Sequence, residues 1–272
     1  MERSLLAKFF ETLRYTAIAS AVSRLNRTWK FTGSPEFRPI VVKANEKKTV
    51  ISMSPHPDDD ILAVGGTLAG HIIAGGDVHS IVWTDGVRGT VDASKSDQTL
   101  QQIRRSEVEN AVSVLGLSSV EFKNETDGQL KADSKNVDFL IETIQRIRPD
   151  IIYTPFPIDY HFDHIAATEM VVKALQNLDH PPLVRGYESI IPLLPNKIMD
   201  ITDTIDLKRR AVACFETQNA VSDYGRTIVE GLNKHRSYGE MAGRGYGEAV
   251  FESDWRLFAD ILHIVHGCKK VK

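Results

Sequence analysis

Cysteine is almost missing from this chain of 272 residues: only Cys214 and Cys268 occur, and neither has a second Cys or a His at finger spacing. That excludes a disulfide framework and a structural zinc finger, and it makes a reducing cytosol the default compartment. Long apolar runs are missing as well. No segment approaches the ~20 uninterrupted apolar residues of a membrane-crossing helix, and charges break up the N-terminal stretch that could resemble a secretory signal. Nor is there a basic excess. Lys and Arg total 33 against 36 Asp and Glu, a formal net charge of −3, so no phosphate-tracking surface is expected and nucleic acid is a poor partner. Repeats and low-complexity tracts are absent, and 42% hydrophobic with 25% charged residues matches folded soluble proteins, which excludes disorder for most of the length. These absences leave an enzyme-sized globule for a small, neutral or polar ligand.

Residues 1–48 stand apart. Leu5, Leu6, Phe9, Phe10 and Leu13 recur at helical spacing among Lys8, Glu11 and Arg14. The spacing predicts a helical N-terminal extension packed on the domain or on a neighbouring subunit of a homo-oligomer, with membrane-surface attachment as the lesser reading. One domain is expected over 49–272. Strand patterns at 50–53, 77–84, 120–122 and 150–154 alternate with helices, the first opening at Gly65-Gly66-Thr67 and the others covering 98–115, 134–148 and 164–175. Gly116 is the expected C-terminal cap of the second helix. Such alternation predicts an α/β fold with a mainly parallel sheet flanked by helices. Farther on, 183–191 and 198–201 read as strands, and 205–215 and 221–238 as helices of the same domain.

Open parallel sheets bind ligands at the carboxyl ends of their strands, and that is where the polar clusters fall. Ser54-Pro55-His56-Pro57-Asp58-Asp59-Asp60 follows the first strand, and His161-Phe162-Asp163-His164 follows the fourth. Imidazole and carboxylate both bind zinc, whose catalytic sites use three protein ligands and leave a position for water. His56 and Asp59 in one loop could supply two ligands and His164 the third. Asp58 would then take the water's proton. His161 could stabilise developing oxyanion charge as an imidazolium, oriented by Asp163, which would raise its pKa.

Each cluster also has a plainer reading. His161 to His164 could be a capped helix start with exposed histidines, and Asp58 to Asp60 an acidic turn matching a helix dipole. The three aspartates also fit the loose D-x-D pattern of metal-dependent nucleotide-sugar glycosyltransferases, although that leaves the histidines without work. A non-catalytic carbohydrate-binding protein is the remaining alternative.

Pro55-His56-Pro57-Asp58-Asp59, then Gly65-Gly66-Thr67, Thr84-Asp85-Gly86, Arg104-Arg105-x-Glu107, Leu115-Gly116, Asp127-Gly128 and His161-x-Asp163-His164, resembles the PIG-L/LmbE-like zinc-dependent N-deacetylases. Asp200-Ile201-Thr202-Asp203, Lys208, Gln218 and Gly245 to Ala249 extend the likeness to about residue 250. The resemblance implies a Rossmann-like sheet, one catalytic zinc ion, and hydrolysis of an N-acetyl group from an amino sugar. It gives His56, Asp59 and His164 as ligands, Asp58 as general base, His161 as oxyanion stabiliser and Asp163 as a supporting residue behind them. Thr84 to Thr90 and the loop reaching Arg104 look most like the diacetylchitobiose and N-acetylglucosamine deacetylases. That subgroup implies substrate contacts from Arg104 and Asp127; the competing reading of Arg104 is an exposed helix residue paired with Glu107 or Glu109. Two positions depart from the pattern: Asp60 stands where Glu is common, with no role assigned, and Thr217 where Ser is common.

Overall fold

The computed structural model describes residues 38–89 and 96–268. Its strands are β1 (Ile40–Lys43), β2 (Thr49–Ser54), β3 (Asp77–Thr84), β4 (Ser119–Glu125), β5 (Ile151–Pro155), β6 (Leu183–Tyr187), β7 (Lys197–Asp200) and β8 (Gly247–Ser253). The helices are α1 (Asp59–Ile73), α2 (Asp97–Leu115), α3 (Ser134–Ile147), α4 (Phe162–Leu175), α5 (Ile205–Ala213), α6 (Glu216–Ser222) and α7 (Trp255–His266). A π-helical stretch, Gly225–Asn233, continues into a short helical turn at Lys234–Arg236. The strands form one sheet in the order β1-β7-β8-β6-β5-β2-β3-β4. Only the pairs that β8 makes, with β6 and β7, are antiparallel.

The strand order puts β2 and β5, which are far apart in sequence, side by side near the centre, with Val50 opposite Ile151 and Ser52 opposite Tyr153. Both strands are apolar and almost wholly buried, as strands covered on two faces must be. Their chains leave the sheet at the same edge, so the loops after Ser54 and Pro155 meet at the position where strand order reverses. Helices cover both faces. Leu140, Ile144, Met170 and Phe258 close one side through α3, α4 and α7, while Leu68, Val112 and Val212 close the other through α1, α2 and α5. The Ser96 hydroxyl accepts the Thr99 N–H at the start of α2, and Gly116 ends that helix in the left-handed region at φ 76°.

Several expectations need correction. The first helix opens at Asp59, not at Gly65, but Val64 has non-helical angles (φ −131°, ψ 16°) that divide it into an initial turn and a main body. The break exists because Glu248 of β8 accepts the N–H groups of Gly66 at 2.9 Å and Thr67 at 2.8 Å, serving as the cap of that second segment. The sheet also begins before residue 49: Ile40 to Lys43 pair in parallel with Lys197 to Asp200. The helix expected around Leu5 to Leu13 lies outside the described residues. The strand expected over 183–191 ends at Tyr187, and β8 and α7 had no counterpart in the sequence reading. Packing against the connector after β1 is close enough to require glycine at Gly70, where a Cβ would sit 1.6 Å from the Ala44 carbonyl oxygen.

At the opposite edge from the central loops lies a buried polar network. Arg185 Nη1 donates to the Tyr153 hydroxyl at 2.7 Å, the hydroxyl proton goes to His71 Nε2 at 3.0 Å, and His71 Nδ1–H donates to the Glu46 carbonyl at 2.6 Å. Burial lowers the His71 pKa, the Glu46 carbonyl opposing and Arg185 assisting. An unfolded chain therefore takes up a proton at His71 near pH ~6.5 that the folded chain refuses, so the folded state loses stability as pH falls through that value. Urea midpoints at pH 7.5 and 5.5 should differ more in the wild type than in His71→Gln; an equal or larger drop in the variant would contradict this.

Candidate active site

His56 stands in the turn after β2, Asp59 is the first residue of α1, and His164 lies in the first turn of α4. Strand β2 and helix α4 bring together groups 108 positions apart: His56 Nδ1 and His164 Nε2 are separated by 3.2 Å. Asp59 Oδ2 lies 2.9 Å from His56 Nδ1 and 3.2 Å from His164 Nε2. The three atoms form a nearly equilateral triangle. Zinc bonds of 2.0–2.1 Å in tetrahedral geometry imply ligand–ligand edges of about 3.3 Å, close to these separations.

The outer partners fix which nitrogen faces the triangle. His56 Nε2 is 3.1 Å from Asp163 Oδ2, and His164 Nδ1 is 2.9 Å from Asp159 Oδ2. Each carboxylate takes the ring N–H on the far side and turns the other nitrogen's lone pair inward, as metal-binding histidines require. The local field points the same way. Burial disfavours a charged His164, but Asp59 and Asp159 outweigh it and push its pKa up to about 9. His56 is raised well above its ordinary value for the same reason, Asp59 being the main opponent of burial there. A position flanked by Asp59, Asp159 and Asp163 thus favours positive charge, and a two-nitrogen, one-oxygen donor set suits a divalent ion of the zinc type. Two further trios, His56 with His161 and His164 and His56 with Asp127 and Asp163, also bring donor atoms within 4.8 Å. The Asp59 trio has edges of 2.9, 3.2 and 3.2 Å, and in it each ring presents the nitrogen that its carboxylate leaves free.

Asp58 adjoins this triangle without belonging to it. Arg104 Nη2 donates to Asp58 Oδ2 at 3.0 Å, and Arg104 Nη1 donates to the Gly86 carbonyl. Arg104 is therefore not the exposed helix residue of the competing reading. It is 2% exposed, while Glu107 accepts from the Thr217 N–H and hydroxyl and Glu109 pairs with Arg105. Thr217 makes with its hydroxyl the bond that a Ser could make. Gly86, at φ 64°, lets Arg104 pass: a Cβ would meet its Nη1 at 2.7 Å and Pro57 Cδ at 2.4 Å. Burial lifts the Asp58 pKa to about 6, with Arg104 pulling it down.

Asp163 does not orient His161. Its Oδ1 accepts the Leu130 N–H at 3.0 Å and its Oδ2 the Gly128 N–H at 2.7 Å, beside His56. His161 Nδ1 instead accepts the Asp163 backbone N–H at 3.3 Å, which places the ring proton on Nε2. Burial, and then the neighbouring His56 and His164, lower the His161 pKa, which favours a neutral ring donor over the expected imidazolium. Asp127 accepts the Arg88 N–H at 2.9 Å and lies 3.5 Å from His56 Nε2.

Asp60, which had no role, turns away into the core. Its Oδ2 accepts from the Ser80 hydroxyl at 2.7 Å and its Oδ1 from the Ile61 N–H at 2.9 Å. The three aspartates thus point in different directions and do not make one oxygen-rich metal site. Asp60→Ala should lower stability by about 1–3 kcal/mol, the cost of stranding buried donors, while metal content stays unchanged; denaturant titration and metal analysis check both.

A cavity of about 490 Å³ opens over the triangle, lined also by Arg88, Arg104, Asp127, His161, Gln218 and Tyr224. Asp159 and Tyr224 were not singled out from the sequence. Asp159 had one weak signal, a carboxylate just ahead of the His-x-Asp-His run; Tyr224 had none. Burial and the Asp58 and Asp59 carboxylates hold the Tyr224 hydroxyl well above its ordinary pKa, and it bonds to Asp58.

Fold and site together define a Rossmann-like α/β protein with a His/Asp cluster at the sheet's carboxyl edge whose donors could hold a metal ion. Residues 51–175 match the family model PIG-L, GlcNAc-PI de-N-acetylase, and the chain carries a PIG-L domain there. It is 29% identical over 228 residues to diacetylchitobiose deacetylase of Thermococcus kodakarensis, covering 76% of this chain and 83% of that one. The solved structure of N,N'-diacetylchitobiose deacetylase from Pyrococcus horikoshii in complex with its inhibitor superposes with a TM-score of 0.65 at 28% identity, covering 76% of this chain and 84% of that one. A 4-oxalmesaconate hydratase from Pseudomonas putida is 24% identical over 229 residues, 75% of this chain and 88% of that one.

Proposed function

We propose that the chain is a zinc-dependent hydrolase that removes the N-acetyl group from an N-acetylglucosamine-type amino sugar, releasing acetate and a free amine. The observation that carries this reading is the inward-facing triangle of His56 Nδ1, Asp59 Oδ2 and His164 Nε2, with Asp58 beside it. A divalent ion bound there supplies Lewis acidity, polarising the amide carbonyl and acidifying water.

The chain's own groups do the rest. Asp58, held by Arg104 and Tyr224, takes a proton from the attacking water and returns it to the departing nitrogen as the C–N bond breaks. A carboxyl with a pKa of about 6 is suited to both transfers near neutral pH. His161 directs its Nε2–H at the carbonyl oxygen, where negative charge grows in the transition state. Asp163 and Asp159 keep His56 and His164 in the tautomers that face the centre. Arg104 acts mainly on Asp58, while Arg88 and Asp127 sit where sugar hydroxyls would be recognised.

The relatives named as chitobiose deacetylases support the amino-sugar substrate. The test is acetate release from a panel of N-acetylated sugars by protein loaded with zinc, cobalt or manganese, with and without chelator. Chelator-sensitive acetate release is expected with zinc. The hydratase relative raises a second chemistry, but adding water to a carbon–carbon double bond frees no acetate, so a protein that releases none contradicts the proposal. No helix among the described residues is long and apolar enough to cross a membrane. A cytosolic compartment and self-association through the N-terminal segment remain part of the proposal, the latter read by light scattering.

A further inference from the structure

A second cavity, of about 250 Å³, opens beyond Asp59 and shares Asp59, Ile190 and Tyr224 with the first. Leu62 and Ala63 of α1 and Ile228 and Leu232 of the π-helical stretch form its apolar wall. Its polar groups are largely engaged elsewhere. Glu188 accepts from Arg236 Nε at 3.0 Å and from the Leu193 N–H at 3.1 Å, and Asn233 Nδ2 donates to the Gly247 carbonyl at 3.1 Å. Ser189 Oγ is 3.5 Å from Asp59 Oδ1, and Asn233 Oδ1 is a buried acceptor without a partner among the described residues. A more apolar pocket beside Phe156, Ile191 and Leu194 shares no lining residue with the first cavity and has no such continuity with the centre.

The two adjoining cavities differ in lining. Arg88, Arg104, Asp127 and Gln218 suit the hydroxyls of a sugar, while the second offers mainly hydrocarbon. In an amide whose carbonyl lies at the metal trio and whose sugar fills the first cavity, the acyl substituent lies on the side of the amide away from the sugar, and the second cavity adjoins the first across the wall shared at Asp59, Ile190 and Tyr224. An acetyl group ends there in one methyl. At ~30 Å³ for a water-sized group, the second cavity has room for roughly eight.

We propose that this second cavity receives the N-acyl group, and that the chain hydrolyses amino sugars bearing N-acyl chains of about four to six carbons in preference to N-acetyl. The inference rests on the deacylase reading above. The reaction balances as before: water adds to the acyl carbon, the C–N bond breaks, the acid leaves as carboxylate, and the amine takes the proton.

The test compares N-acetyl-, N-butyryl- and N-hexanoylglucosamine with the full metal-loaded chain, reading free amine. kcat/KM should rise with length by up to about fourfold per methylene, the gain expected from burying each one. Leu232→Trp, at a half-buried wall position, and Ala63→Leu should depress hexanoyl hydrolysis by tenfold or more and leave acetyl hydrolysis within about twofold. If acetyl is hydrolysed and the longer amides are not, the proposal falls. It also falls if longer amides react but both variants leave the hexanoyl-to-acetyl ratio unchanged. Failure on every amide, acetyl included, would overturn the underlying deacylase reading and this inference with it.

Discussion

Asp58→Asn is expected to lower kcat by roughly 10²–10⁴-fold, the usual contribution of a positioned acid–base group, while metal content stays at the wild-type level. The two outcomes separate because Asp58 adjoins the metal trio without being one of its donors. Its contacts are Arg104 at 3.0 Å and Tyr224, and neither belongs to the triangle. Asparagine keeps the shape and one acceptor for Arg104 but cannot carry a proton from water to nitrogen. It also leaves the buried Arg104 guanidinium without its counter-charge, so some loss of stability is expected beside the loss of rate. His164→Ala is the contrasting variant, because it removes a corner of the triangle and should lose metal and activity together. Full turnover by Asp58→Asn, or metal loss from it, would remove Asp58 from the role of base.

That His56, Asp59 and His164 would meet was legible because they lie in two short runs, each placed after a strand. Apolar runs such as Val50 to Met53 and Ile151 to Thr154 announce buried parallel strands, and in that fold the carboxyl-edge loops must converge. What each carboxylate does once there was less legible. Asp163 follows His161 by two residues, which suggests a local pair, yet it bonds His56 across 107 positions and takes the Gly128 and Leu130 N–H groups. The direction of a side chain at a helix start is set by tertiary contacts that spacing does not encode. Arg104 shows the same limit, since the sequence left both a substrate contact and an exposed helix residue open, and neither reading contained its bond to Asp58. Asp60 looked like a third member of an acidic cluster, but one step along the first turn of α1 rotates it towards Ser80 and the core. Strand β8 was hidden by Glu248, a charge at the start of a buried run, and the fold accommodates it through partners from α1 and α5.

That last group carries the largest expected effect on stability. Lys208 Nζ donates to Glu248 Oε1 at 2.6 Å, with both side chains fully buried. Thr67 adds its hydroxyl to Glu248 Oε2 at 2.5 Å, beside the N–H groups of Gly66 and Thr67. Glu248→Ala strands a buried ammonium and those donors, and should cost about 3–5 kcal/mol or more in denaturant titration. Glu248→Gln keeps an acceptor for the N–H groups and isolates the charge effect. Burial already lowers the Lys208 pKa, with Glu248 opposing that shift. Without Glu248 the folded amine gives up its proton more readily still, while the unfolded amine holds it up to pH ~10.4. Below that value the unfolded state of Glu248→Gln binds more protons, so the variant should gain stability as pH rises from 7 towards 10. Adding Lys208→Met removes the stranded charge, and the double variant should be more stable than Glu248→Gln alone and lose the pH dependence due to Lys208. A double variant no more stable than Glu248→Gln would mean that the pair contributes by shape alone. Because Glu248 sets the break at Val64, and the turn before that break carries Asp59, the single variants should also weaken metal binding, whereas a change confined to the far side of the sheet, such as His71→Gln, should not.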